Sequence, residues 1–287
     1  MKIVITPNPY RDKNFKYAAQ AEQILKKAGV ETKLCLPFGV DKNFELPADK
    51  VFYNLSEELK TADMLVCFGG DGTILHSSKA ATYHNLPVLG VNIGTMGFMA
   101  ELEAGELDQL SRLATGQYTV EKRMMLSVEV QHEGQTIFTD TALNDIAITK
   151  GAVARVIQLE VLCDGVQAYS FAGDGVLICT PTGSTAYSMS AGGPIVEPSA
   201  RNIIVTPICA HTVQARAFVT SKDREITVKV GKTGRKNAFL SSDGGRAVRL
   251  NLGDVIRVRR SRHETRLVRL KNTSFFEIIN NKFFIGR

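Results

Sequence analysis

An apolar run that stops at glycines leaves a chain few folds, and here Met64-Leu65-Val66-Cys67 leads straight into Phe68-Gly69-Gly70-Asp71-Gly72-Thr73. The run reads as a buried parallel strand, and the segment behind it, Thr73 to Ala81, has the composition of a helix start. The turn between them therefore lies at the carboxyl end of a strand. Open α/β sheets bind ligands there, because backbone N–H groups and the positive end of the helix dipole face outward. Glycines let the backbone approach a phosphate that any Cβ would obstruct. The acidic residue at the centre spoils a purely phosphate-binding loop, and the Lys and Ser/Thr of a Walker A loop are missing. A carboxylate there suits one task, accepting a proton from a hydroxyl that attacks a phosphoryl group.

The pattern from Met1 to about Gly116 alternates short β runs with helical periods. Lys2 to Ile5 predicts a first strand, Phe15 to Ala28 an amphipathic helix closed by Gly29, and Glu31 to Leu36 a second strand. Ser56 to Lys60 and Glu106 to Ala114 read as further helices, and Pro87 to Asn92 as another strand. This alternation predicts a mostly parallel sheet with helices on its faces. From Thr119 the texture changes to Val-, Ile-, Thr- and Phe-rich runs about ten residues apart, with turns at Gly134, Asp164-Gly165, Gly231, Asp243-Gly244 and Gly253. The expected architecture is an α/β N-terminal domain over residues 1–118, an all-β sandwich-like C-terminal domain over 119–270, and a tail, 271–287, that packs back on the first domain through Phe275 to Ile279 and Phe283 to Ile285.

With 287 residues, 44% of them apolar, the chain can bury large cores. It shows no apolar run of membrane-spanning length, and Met1 to Thr6 is too short and strand-like for a signal peptide, so a cytoplasmic protein is expected. Five cysteines without CxxC spacing read as buried reduced thiols. The net charge of +6 suits anionic ligands without choosing among them. Nine Lys or Arg residues against two carboxylates fall between Arg246 and Lys271. That stretch lacks interleaved aromatics for base stacking, and its apolar positions predict two strands joined by a turn near Ser261-Arg262-His263, so nucleic acid is not an expected partner.

Three further constellations carry chemistry. Asn92-Ile93-Gly94-Thr95-Met96-Gly97-Phe98 follows a second strand end and reads equally as a loop that offers Phe98 to a planar ring or as an ordinary turn with Phe98 in the core. Asn144-Asp145 sets an amide and a carboxylate side by side, a grip for ribose hydroxyls or a carboxamide. Gly173-Asp174-Gly175 is followed by an apolar strand and then by Thr180-Pro181-Thr182-Gly183-Ser184-Thr185-Ala186-Tyr187-Ser188. Its hydroxyls can read a base edge and ribose, with Tyr187 as a stacking face. Metal ligands are not legible from spacing.

These motifs in this order, with Pro207 to His211 and Arg216 behind them, resemble the NAD kinase family from about Met1 to Leu270. The resemblance implies transfer of the ATP γ-phosphoryl group to the adenosine ribose 2′-hydroxyl of NAD, giving NADP, with Mg2+ or another divalent cation. It implies Asp71 as catalytic base. It places Gly72, Phe98, Asn144, Asp145, Asp174, Thr182, Thr185, Ala186, Tyr187 and Ser190 around the dinucleotide. Gly69, Gly70, Thr73, His76 and Arg155 are candidate phosphate or ATP contacts. A homodimer or homotetramer is implied as well. The chain departs from the family at Asp145, where Glu is usual, and at Ala210, where Pro often precedes His211. A lipid or sugar kinase shares the GGDGT turn, but a lipid enzyme should show an exposed amphipathic basic helix, and none is evident. A non-catalytic dinucleotide sensor has no need of Asp71.

Overall fold

A computed structural model describes residues 1–94, 97–151, 156–231 and 238–283. The chain divides into two compact units, Met1–Lys122 with Thr265–Arg287, and Arg123–Glu264. An α/β unit with a parallel sheet and an antiparallel β unit are both present, as the sequence pattern predicts.

In the first unit β1 (Lys2–Pro7) pairs in parallel with β2 (Glu31–Leu34) and with β3 (Met64–Gly69). β4 (Pro87–Asn92) adds in parallel to β3, and the short β5 (Leu102–Glu103) to β4. All six residues of β3 are buried, which is why it reads as an unbroken apolar run rather than an alternating one. The helix α1 (Lys16–Lys27) lays Ala18, Ala21 and Leu25 on a core that includes Ile3, Ile5, Val66, Phe68 and Leu89. Its first-turn N–H groups at Tyr17 and Ala18 are satisfied by the buried carboxylate of Asp12, at 3.0 and 2.9 Å. α2 (Leu55–Glu58) is a single turn capped by Asn54, and α3 (Asp71–Tyr83) follows β3 directly. The helix expected over Glu106 to Ala114 is a 3-10 stretch, Ala104–Leu110, joined to the short α4 (Ser111–Ala114).

The second unit is a two-sheet structure built from β6 (Thr119–His132), β7 (Gln135–Ala142), β8 (Asp145–Lys150), β9 (Ile157–Cys163), β10 (Val166–Gly173), β11 (Gly175–Cys179), β12 (Asn202–Ile208), β13 (Phe218–Ser221), β14 (Ile226–Val230), β15 (Ala238–Ser242), β16 (Val248–Leu250) and β17 (Val255–Arg269). The first residues of β6 and the last of β17 belong to the first unit. One sheet runs β13-β12-β11-β8-β15-β16, and the other includes β7-β6 and β17-β14-β9-β10. Their shared core shows the period-two pattern: Ile146 and Ile148, Val176 and Ile178, Ile203 and Val205 from one sheet meet Leu126 and Val128, Leu159 and Val161, Ile256 and Val258 from the other. A single turn, α5 (Tyr187–Ser190), follows β11.

The basic segment corrects the sequence reading. β17 is one strand of 15 residues through Ser261-Arg262-His263, with no turn there. That tripeptide holds no Gly, Pro or Asn to break a strand, and the chain instead changes partner. Ile226↔Val258 belongs to its antiparallel pairing with β14, and Arg266↔Pro87 to a parallel pairing with β4. The thiols also differ in part from expectation. Cys35, Cys67 and Cys179 are buried, with burial pushing their thiols up to about 12, 11 and 12, whereas Cys209 is exposed. Among the described residues no helix is long and apolar enough to cross a membrane.

The tail forms α6 (Phe275–Phe283) within the first unit. Ser274 and Glu277 close a capping box, the Glu277 carboxylate accepting from Ser274 N–H at 2.6 Å and Ser274 Oγ from Glu277 N–H at 3.2 Å. The strand that leads to it is fastened by Glu101, which accepts from the Leu270 and Lys271 N–H groups at 2.7 and 2.6 Å and pairs with Arg269 at 3.1 Å. Lys271 meets Glu106 at 2.7 Å. α6 has no buried residue, so it is held by its polar root and by ring contacts rather than by immersion in the core, and Phe284 and Ile285 lie outside the described residues.

Candidate active site

At the carboxyl end of β3 the chain turns through Gly70, which is the N-cap of α3 and has no side chain to cap it. The N–H groups of Asp71 and Gly72 are thus open to an anion at the positive end of a thirteen-residue helix, while Thr73 N–H closes on Gly70 C=O at 2.9 Å. Gly69 packs so closely over Thr73 that a Cβ there would fall 2.5 Å from its hydroxyl. Asp71, half-buried at the first helical position, accepts from Phe98 N–H through Oδ2 at 2.8 Å and from Met99 N–H through Oδ1 at 3.1 Å. Two backbone donors fix the carboxylate while each oxygen keeps a further lone pair for a substrate hydroxyl. The loop of the second glycine motif thus serves to hold Asp71.

Asp71 lines a pocket of about 420 Å³ with Gly70, Gly72, Thr73 and His76. Asn8, Arg11, Phe38, Gly97 and Lys282 complete its wall. Asn8 donates from its amide to Thr73 Oγ1 at 2.7 Å and is itself fixed by Tyr10 N–H, at 3.0 Å to Oδ1. Phe38 meets the His76 ring edge-on at 5.8 Å between centroids. The Lys282 ammonium stands 3.8 Å above the centre of the Phe98 ring, and Phe283 also packs on that ring at 6.1 Å. Among the described residues Asp71 is the one carboxylate on the pocket wall, and no group of three or more His, Cys, Asp or Glu gathers to hold a metal. Such a donor set fits a divalent ion carried mainly by substrate phosphates and water, and not one caged by protein.

The remaining candidates lie in the second unit. Asp243 organises the Asn-Asp pair: its carboxylate accepts from the N–H groups of Leu143, Asn144 and Asp145 at 2.7, 2.7 and 3.1 Å. Asn144 C=O accepts from Thr180 N–H at 2.9 Å, and a Cβ on Gly183 would fall 2.6 Å from the same carbonyl carbon, so glycine is required where these two segments cross. The Oδ1 atom of Asn144 is buried without a partner among the described residues, a vacant acceptor that a ligand hydroxyl or amide would satisfy. Asp174 pairs with Lys150 at 2.7 Å. Several hydroxyls of the Thr-Pro-Thr-Gly-Ser-Thr run are spent inside the protein: Thr180 Oγ1 on Leu143 C=O, Ser184 Oγ on Pro181 and Val196 C=O, Ser188 Oγ with Thr206 Oγ1. Tyr187 and Ser190 are exposed, and Thr185 and Ala186 half-buried. Thr182 is buried and accepts from the Arg123 guanidinium at 3.3 Å.

Asp145 is only 6% exposed, and burial, reinforced by the Asp243 charge, pushes its carboxyl up to about 7. Unfolded, it would release its proton near pH 4. Between those values the folded chain holds a proton that the unfolded chain has lost, so stability falls as pH rises through the window. Relative to Asp145→Asn, the wild-type chain should lose about 3 kcal/mol of stability between pH 5 and pH 8. Urea unfolding of both proteins at the two pH values measures the difference, and parallel pH dependences would contradict it.

Asn8, Arg11, Phe38, Lys282 and Asp243 carry no motif and were not among the expected site residues. For Asn8 and Arg11 a signal exists: they follow the first predicted strand, and parallel neighbours deliver their carboxyl ends to one edge. The pairing of Pro7 with Phe68 sets Asn8 beside the glycines. Arg155, with Thr95 and Met96, lies outside the described residues.

A parallel sheet with a pinned carboxylate and an open helix start at its edge, joined in one chain to a β unit with a partly vacant amide–acid pair, has the parts of a nucleotide-dependent phosphotransferase. Family models for the ATP-NAD kinase N-terminal and C-terminal domains match residues 3–118 and 143–270. The NAD kinase of Ruminiclostridium cellulolyticum is 34% identical over 284 residues, covering 99% of this chain and 98% of that protein. That of Acetivibrio thermocellus is 36% identical over 289 residues, covering 99% and 97%. The chain belongs to the NAD kinase family. Among solved structures, yeast NADH kinase complexed with NADH is similar with a TM-score of 0.85 and 25% identity, covering 100% of this chain and 87% of that one. An NAD kinase from Archaeoglobus fulgidus in complex with ATP is similar with a TM-score of 0.76 and 27% identity, covering 98% of both chains.

Proposed function

We propose that this protein is an ATP-dependent NAD kinase that phosphorylates the adenosine ribose 2′-hydroxyl of NAD to give NADP. The observation that carries the reading is Asp71, held by two backbone N–H groups on the wall of a pocket and otherwise free to accept a substrate proton. The ribose oxygen bonds to the γ-phosphorus, the bond from that phosphorus to the β–γ bridging oxygen breaks, and its electron pair leaves on ADP. The hydroxyl proton passes to Asp71. Phosphoryl transfer through a loose transition state asks little of a base until late, so alignment and charge stabilisation dominate. Gly69, Gly70, Gly72 and Thr73 offer the donor phosphates a close backbone approach, with His76 beside them. A divalent ion bound with ATP would neutralise phosphate charge, with Asp71 as the pocket's own carboxylate.

Asn144 and Asp145 hold a ribose, the unpartnered Asn144 Oδ1 supporting the first of these roles. Phe98, Asp174, Thr182, Thr185, Ala186, Tyr187 and Ser190 contact the dinucleotide on the strength of the family motif. The internal bonds of Ser184 and Ser188 assign those hydroxyls to shaping the turn. On the same resemblance the protein acts in the cytoplasm as a homodimer or homotetramer.

Purified protein supplied with MgATP and, separately, NAD, NADH, diacylglycerol or fructose 6-phosphate should yield NADP from NAD and neither a phospholipid nor a sugar bisphosphate. Adding EDTA should stop the reaction. Phosphorylation of the lipid or sugar without NADP formation would overturn the reading.

A further inference from the structure

Two cations outside every recognisable motif meet over the glycine turn. Arg11 comes from the loop after β1, and its guanidinium lies so close to the turn that a Cβ on Gly70 would be 3.1 Å, and one on Gly94 2.8 Å, from its Nη1. Gly94 also has φ +151°, so glycine is needed there for backbone and for space. Lys282 comes from the last turn of α6, at the other end of the sequence, with its ammonium over the Phe98 ring. Phe98 N–H in turn donates to Asp71, which places the cation, the ring and the carboxylate in one linked group. Both cations line the same pocket as Asp71.

Their electrostatic state asks for a ligand. Among the described residues neither Arg11 nor Lys282 has a carboxylate within ion-pairing distance. Burial works against the Lys282 charge, and the Asp71 carboxylate only partly offsets this. Two cations against one carboxylate leave an excess of positive charge on the wall, and it lies at the open start of α3. A ring face stabilises an ammonium by a modest amount, less than a phosphate oxygen would. A planar fork and a compact ammonium together match a small group with three charged oxygens.

We propose that Arg11 and Lys282 grip the terminal phosphoryl group of the donor nucleotide and stabilise its charge during transfer. This rests on the phosphotransferase reading above. As the γ-phosphorus passes from the ADP oxygen to the acceptor oxygen, negative charge spreads over its three equatorial oxygens, and fixed cations on the wall stabilise that distribution without reorganising. The proton still goes to Asp71 and the electron pair to ADP. In this arrangement the C-terminal helix is part of the catalytic apparatus, because it delivers Lys282.

The test compares wild type with Arg11→Gln, Lys282→Met and Lys282→Arg. Met keeps an apolar stem on Phe98 while removing the charge. Steady-state kinetics with ATP and NAD, calorimetric binding of ATP, ADP and NAD, and thermal unfolding are measured for each. Arg11→Gln and Lys282→Met should each lower kcat/KM for ATP by roughly 10²-fold, and weaken ATP binding roughly tenfold while ADP and NAD binding change less than about twofold. Lys282→Arg should recover most of the loss, and the unfolding temperature should hold. Unchanged kinetics in both neutral variants would overturn the inference, as would equal loss of ATP and ADP binding or loss confined to NAD. A wild-type protein that makes no NADP would instead defeat the underlying reading, so the two failures are separable.

Discussion

Asp71→Asn should slow NADP formation by roughly 10² to 10⁴-fold while NAD binding stays near the wild-type value. The amide matches the carboxylate in shape, but one of its two faces is an NH2 group. Phe98 N–H and Met99 N–H, which now donate to Oδ2 and Oδ1 at 2.8 and 3.1 Å, would find one acceptor between them. The side chain then has no basic oxygen to offer a ribose hydroxyl. Single-turnover assays with saturating NAD and ATP isolate this step from binding, and calorimetry gives the NAD affinity separately. Turnover within about threefold of wild type would remove Asp71 from the role of base.

Gly97→Ala should be nearly as damaging although it adds only a methyl group. A Cβ at Gly97 would fall 2.7 Å from the carboxylate carbon of Asp71 and closer still to Oδ1. A long side chain could swing aside. Asp71 cannot, because the residues that pin it, Phe98 and Met99, follow Gly97 directly in the chain. Either the carboxylate leaves its rotamer or the loop withdraws its two donors, and a displacement of about 1 Å at a reacting group costs on the order of 10²-fold. We expect kcat to fall by roughly that factor while the unfolding temperature moves only slightly. Gly105→Ala is the control, since a Cβ there meets nothing within 4 Å and its activity should match wild type. An active Gly97→Ala enzyme would show that Asp71 tolerates a different anchorage.

What could be read from the chain followed the range over which each signal acts. β3 and α3 were legible because strand, glycine turn and helix start are contiguous, from Met64 to Tyr83. The alternating cores of the β unit were legible for the same reason, since the period of two is local to each strand. β17 was misread because its partners lie elsewhere in the chain: β14 pairs antiparallel with Val255 to Val258, β4 pairs in parallel with Arg266 and Leu267, and β6 pairs with it as well. The site divided along the same line. Asp71, Gly72 and Thr73 announce themselves by composition, whereas Asp243 looks like an ordinary turn residue until its carboxylate is found capping three N–H groups about a hundred residues away. Lys282 gives no local sign. The capping box at Ser274 and Glu277 marks a helix but not where that helix leads.

The parallel pairing of Arg266 and Leu267 with β4 also bears on how the first unit is made. Its sheet receives this strand only after the whole of Arg123–Glu264 has left the ribosome. Until then β4 has β3 on one side and no neighbour on the other along Pro87 and Val88, and an unpaired strand border invites pairing with other chains. Closing so long a loop is slow, because its entropy is lost before any contact compensates. The β unit, continuous in sequence, can form its core first and then present the finishing strand. Folding of the first unit is thus completed only when the end of β17 arrives, although most of its residues are synthesised first.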